Sequence, residues 1–81
     1  KLYGGHLLDS TVLLEEIQAH REQHNKALSI MLEIEQQYQT LSDLERSKLA
    51  LPFLTLRRGI LGEKAWLAWA DEVELFLMAQ T

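Results

Sequence analysis

From Leu13 onward, apolar or weakly polar residues return at Leu13, Ile17, His20, His24, Ala27, Met31, Ile34, Tyr38 and Leu41. The gaps alternate four and three without a slip, which is a 3.5-residue repeat. A helix keeps such a stripe on one side only by packing along a left-handed seam against another helix. Leu14, Leu28 and Leu32 widen the stripe, while Glu15, Glu22, Lys26, Glu33, Gln36 and Gln37 fall on the opposite, solvated face. Neither glycine nor proline interrupts Ser10 to Leu41, so the pattern predicts one helix of about 30 residues and about 45 Å. Asp9 or Ser10 can cap it through a side-chain oxygen, and Glu15 and Glu16 are expected near its positive end.

A second arm follows. Ser42-Asp43-Leu44-Glu45 reads as a capping box, in which the serine and glutamate exchange bonds with each other's backbone N–H groups. Pro52 comes only about ten residues later, and a proline deep in a helix costs roughly 3 kcal/mol. A break or kink is therefore expected around Leu49 to Leu51, with the main second helix starting near Pro52 and running to about Met78. Gly59 and Gly62 lie inside that helix, each costing up to about 1 kcal/mol against alanine. Their presence suggests either close approach to another helix or a local kink. Leu54, Leu61, Ala65, Trp69 and Phe76 form one apolar stripe, broadened by Trp66, Val73 and Leu77.

Two antiparallel arms cannot cover two such wide stripes with each other alone. The surplus requires a second copy or a further domain. The expected architecture is all-α: a long antiparallel helical hairpin that associates into a dimeric helical bundle or coiled coil. At 81 residues the chain is one domain, and alone it would bury only roughly 60% of its unfolded surface. With 47% hydrophobic and 25% charged residues it is not a disordered segment.

Composition also narrows function. The formal net charge is −4, and of the eight lysines and arginines only Arg57 and Arg58 are adjacent. A nucleic-acid reader needs a basic face to displace counterions from phosphates, so this segment is not expected to bind DNA by itself. The absence of cysteine removes disulfides, thiolate zinc sites and cysteine nucleophiles, and suits a cytoplasmic protein. The uncharged run Leu49 to Leu56 falls far short of the ~20 residues that cross a bilayer, so no membrane partner is expected. The chain opens at Lys1 without Met or a signal-peptide pattern and is read as a piece of a longer protein.

In order and spacing, several segments resemble the C-terminal domain of PadR-family transcriptional regulators, also called the virulence-activator alpha C-terminal domain. Lys1-Leu2-Tyr3-Gly4-Gly5 resembles the aromatic-glycine segment that leaves the family's DNA-binding domain. The long amphipathic helix corresponds to the family's first C-terminal helix. Leu54-Thr55-Leu56-Arg57-Arg58-Gly59-Ile60, then Glu63, then Trp69-Ala70-Asp71-Glu72, resembles its second. Trp66 lies outside the family pattern. The resemblance implies a C-terminal dimerisation domain spanning residues 1–81, with an N-terminal winged helix-turn-helix that this segment lacks. Homodimerisation would set the spacing of two recognition helices on a palindromic operator, and DNA would be reached only through that missing domain. The dimer interface is then expected at Leu13, Ile17, His20, His24, Ala27, Met31, Ile34, Tyr38, Leu54, Leu61, Trp66, Trp69, Val73 and Phe76.

Other chemistries find less support in the residues. His20 and His24 share a helix face and can bind zinc, with Glu16 a third ligand one turn earlier. Arg21, however, stands where a zincin would place its general base. Polar residues that set the register of a seam are the preferred reading, and no metal or cofactor is expected. Histidine's near-neutral pKa allows a pH-sensitive role, which nothing in the sequence selects. Phe53, Trp66 and Trp69 could line a pocket for a small aromatic effector, as the resemblance implies for some members; filling a dimer core is the plainer role. Arg57 and Arg58 are read as snorkelling or pairing with acids such as Glu63, and Tyr3-Gly4-Gly5 as a hinge rather than a phosphate loop. No Gly-x-Ser-x-Gly elbow accompanies Ser10, Ser29, Ser42 or Ser47, so no catalytic residue is assigned and no enzymatic activity is expected.

Overall fold

The computed structural model describes residues 9–80, and all of their regular structure is helical. Helix α1 is Ser10–Gln39, α2 is Asp43–Lys48 and α3 is Ala50–Ala79. The two 30-residue helices pack side by side as a hairpin, with α2 forming the turn. Among the described residues there is no strand, no cis peptide and no residue with positive φ.

Of the two candidate caps for α1, Asp9 is the one used. Its backbone is extended and its Oδ1 accepts from the Thr11 N–H at 2.8 Å, satisfying one orphan donor of the first turn. Glu15 and Glu16 stand beyond that turn, which holds no acidic residue. Their expected interaction with the helix dipole is therefore lost, because the effect fades within the first turn.

α1 stops at Gln39, where Thr40 turns back on it. The Thr40 N–H and hydroxyl both donate to the Gln37 carbonyl, at 3.1 and 2.6 Å. The capping box forms as its residue types require: Ser42 Oγ accepts from the Glu45 N–H at 3.2 Å, and Glu45 Oε1 accepts from the Ser42 N–H at 3.1 Å. Arg46 pairs with Asp43 on the same short helix. The Tyr38 hydroxyl donates to the Arg46 carbonyl at 2.8 Å and so fastens the end of α1 to α2. The expected break falls at Leu49, which ends α2 and precedes α3. Pro52 is the third residue of α3, where its missing N–H would have had no intrahelical partner.

The 3.5-residue stripe of α1 is answered along α3 at nearly the same interval. His24, Met31 and Tyr38, seven apart, meet Trp66, Gly59 and Phe53 respectively. The matched descent along α3 defines an antiparallel register. Gly59 is the point of close approach: a Cβ there would lie 3.1 Å from Met31 Sδ and 3.2 Å from its Cε. Gly62 is different, since a Cβ on it would meet nothing within 4 Å. Of the two glycines, only Gly59 has a packing reason within the hairpin.

The core is thin. Among the described residues only Ile60, Ala70 and Leu77 are buried apolar residues, and all three belong to α3. Two helices can shield one another only along a single line, so most large apolar side chains stay partly in solvent.

Candidate association surface

α3 carries two apolar stripes, and the fold separates them. The inner one, including Phe53, Ile60, Leu67, Ala70 and Leu77, faces α1 and is half-buried or buried. The outer one, Leu54, Leu61, Ala65, Trp69 and Phe76, points away from the hairpin. Leu54, Leu61, Trp69 and Phe76 each expose more than half their surface, at 59%, 55%, 51% and 64%. Arg58 and Glu72 lie between them on the same exposed face, and this face as a whole is the candidate association surface.

The residues expected at a dimer interface accordingly divide. Leu13, Ile17, His24, Ala27, Met31, Tyr38, Trp66 and Val73 lie half-buried along the hairpin, and His24, Met31 and Tyr38 are engaged by α3 of their own chain. The α1 stripe is thus chiefly an intrachain seam rather than a surface left for a second copy. His20 and Ile34 are exposed, as are Leu54, Leu61, Trp69 and Phe76. α1 also exposes Val12, Ile30 and Ile34, but the longer exposed apolar stripe is on α3.

Polar pairs cross the seam between the apolar contacts. Arg21 Nη2 reaches Glu74 Oε1 at 2.6 Å and Asp71 Oδ1 at 2.8 Å. The Arg21 guanidinium is held above its ordinary pKa, first by the hydrogen bond to Glu74; partial desolvation opposes the rise and Asp71 adds to it. His24 Nδ1 meets Glu63 Oε1 while its ring stacks on Trp66, with centroids 3.9 Å apart and planes 21° apart. Arg57 Nη1 donates to Glu35 Oε2 at 2.9 Å, so the anticipated partner Glu63 belongs to His24 instead. The reading of His24 as a polar register residue describes the geometry, but its partner is an acid of the same chain. The pairing roles of Arg21 and Glu35 do not follow from the stripe that begins at Leu13. Their signal was available, because Leu14, Arg21, Leu28 and Glu35 recur every seven residues and two of the four are charged.

The proposed Glu16, His20 and His24 zinc set does not assemble. Among the described residues no group of three or more potential ligands converges, and the Nδ1 of His24 is engaged by Glu63. The suggested effector pocket of Phe53, Trp66 and Trp69 is also divided. Trp66 and Trp69 meet edge to face at 5.9 Å. Phe53, thirteen residues earlier on the same helix and so about 20 Å away, stacks on Tyr38 at 4.1 Å. At that end Phe53 helps line an apolar hollow of about 300 Å³ with Ile34, Tyr38, Leu41, Leu49 and Pro52. No helix of the described residues is long and apolar enough to cross a membrane. The aromatic-glycine segment Lys1 to Gly5, read as a hinge, lies outside the described residues.

Comparison with known proteins places the chain in a family. No curated protein and no solved structure matches the chain. A family model does, over residues 1–77, and its description is Virulence activator alpha C-term. Nearly the whole hairpin is covered, both long helices and the turn between them. The chain therefore belongs to the virulence activator alpha C-terminal family, a family of helical C-terminal domains.

Proposed function

We propose that the chain is the homodimerisation domain of a PadR-like, cytoplasmic transcription regulator. In this reading DNA is bound by a separate winged helix-turn-helix domain, and this segment performs no catalysis. The observation that carries the proposal is the outer stripe of α3: four large side chains more than half exposed on a chain whose described core holds only three buried apolar residues. Covering that stripe with a second copy would supply the burial that the hairpin lacks. Family membership supports the regulatory role. Sedimentation equilibrium of the chain tests the reading directly. A dimer at micromolar concentration is expected, and a monomer throughout that range would end it.

A second reading, effector sensing, draws on the hollow at the hairpin turn. Its volume of about 300 Å³ is at the lower end of the range for small-molecule sites, and Tyr38 and Phe53 form one stacked wall. Thermal stabilisation by phenolic compounds, lost on Phe53→Ala, is the result expected if the hollow binds them. A panel without any shift would remove this reading and leave dimerisation intact.

A further inference from the structure

The outer stripe of α3 has an internal symmetry that identifies how a second copy would sit on it. The stripe runs Leu51, Leu54, Arg58, Leu61, Ala65, Trp69, Glu72, Phe76 and Ala79, and all nine positions are exposed. Measured from Ala65, Leu61 and Trp69 are four residues before and after. Arg58 and Glu72 are each seven away, and Leu54 and Phe76 each eleven. The residue types answer one another out to eleven residues; at fourteen, Leu51 answers the smaller Ala79. Bulky apolar faces bulky apolar, and the only cation faces the only anion.

We propose that α3 pairs with α3 of a second copy in antiparallel fashion, about a two-fold axis through Ala65. This rests on the dimerisation reading above and specifies its register. In an isologous contact each residue meets the one equally far on the other side of the axis. Arg58 then meets Glu72 of the other copy, twice. Within one chain the two lie fourteen residues apart on one helix, about 21 Å, and neither has an ion-pair partner among the described residues. A parallel arrangement would set Arg58 against its own copy and Glu72 against its own, so like charges would oppose one another at both places.

The centre of the stripe is shaped for this contact. Gly62 and Ala68 lie three residues to either side of Ala65. Gly62 has open space where its Cβ would be, so nothing in the hairpin accounts for a residue that weakens the helix. Across the axis Gly62 faces Ala68 of the other copy, and the small pair lets the backbones come close. Trp69 would then lie beside Leu61 of the other copy, filling the space at the edge of the narrow centre.

Charge exchange and cross-linking test the register separately from dimerisation. Arg58→Glu alone and Glu72→Arg alone should each weaken the dimer by about tenfold or more, because each creates two like-charge contacts. The double variant R58E/E72R should restore the affinity of the unaltered chain. The sequence has no cysteine, so introduced thiols report single positions. With a short bis-maleimide, Ala65→Cys should link to itself. Arg58→Cys should fail to do so alone, yet link efficiently when mixed with Glu72→Cys. A dimer in which Arg58→Cys links to itself, or in which R58E/E72R stays as weak as the single variants, would overturn the antiparallel register. Absence of any dimer of the unaltered chain would instead defeat the dimerisation reading on which the register rests.

Discussion

Gly59 packs against Met31 of the other long helix: a Cβ on Gly59 would stand 3.1 Å from the Met31 sulfur, while the same atom on Gly62 would meet nothing within 4 Å. Gly59 thus lies at the edge of the seam, while Gly62, one turn on and about 60° further round the helix, has open space beside it. Only the first of the two packs against α1.

The two glycines should respond oppositely to substitution. In a Trp69→Lys background, used to remove the effect of association, Gly62→Ala should raise stability by about 0.5–1 kcal/mol by removing the glycine penalty in a helix. Gly59→Leu in the same background should lower stability, because its branched side chain must displace the Met31 thioether. Urea unfolding followed by circular dichroism measures both. A Gly59→Leu chain as stable as its parent would contradict the close approach.

Arg21 should contribute unequally through its two acids. Glu74 is 19% exposed and Asp71 67%, so water screens the Asp71 contact far more. Glu74→Gln is expected to lower the thermal midpoint more than Asp71→Asn, and 1 M salt should shrink the Asp71 effect first. Equal losses for the two variants would contradict a seam in which Glu74 is the main partner.

The turn offers two single-bond tests. Tyr38→Phe keeps the stack on Phe53 and removes only the hydroxyl that donates to the Arg46 carbonyl. It should cost about 1 kcal/mol, the usual net contribution of one hydrogen bond. Ser42→Ala removes the side-chain cap on the Glu45 N–H and should also cost about 1 kcal/mol. The two losses are expected to fall short of adding in the double variant, since both release α2 from the end of α1. Chemical denaturation of the four chains gives the coupling.

That α1 is one long helix was legible from its repeat, though the half-buried line takes in Arg21 and Glu35 and leaves His20 and Ile34 exposed. A 3.5-residue stripe backed by Glu15, Glu22, Glu33 and Gln37 leaves only one face to bury, and the capping box at Ser42 is a local signal that needs no tertiary context. α3 was less legible for a physical reason. Apolar residues surround most of it, so periodicity alone could not say which stripe meets α1. The inner stripe is interrupted by Arg57, Glu63 and Glu74, which resemble surface residues until Glu35, His24 and Arg21 are set opposite them. The outer stripe, read from the sequence as dimer interface, keeps Leu54, Leu61, Trp69 and Phe76 exposed in the hairpin, with Arg58 and Glu72 between them. The aromatic cluster failed, because Phe53 and Trp66 share a helix but sit at different depths of the hairpin.

Met31 and Trp69 stand on the two faces of this division and should separate folding from association. Met31→Asp places a charge without a partner in the seam beside Gly59 and should unfold the hairpin, at a cost of several kcal/mol. Its far-UV circular dichroism should lose the helical signal. Trp69→Lys alters a side chain that is 51% exposed and gives up only its edge contact with Trp66, so it should keep the helical signal. A Met31→Asp chain with full helicity would mean that the α1 stripe is not the folding seam.

The most direct measurement is sedimentation equilibrium of Trp69→Lys beside the unaltered chain at the same micromolar concentration, with helicity checked on both samples. The account predicts a dimer for the unaltered chain and a folded monomer for Trp69→Lys. A folded Trp69→Lys chain that remains a dimer with undiminished affinity would contradict it, because the outer face of α3 would then not be where two copies meet.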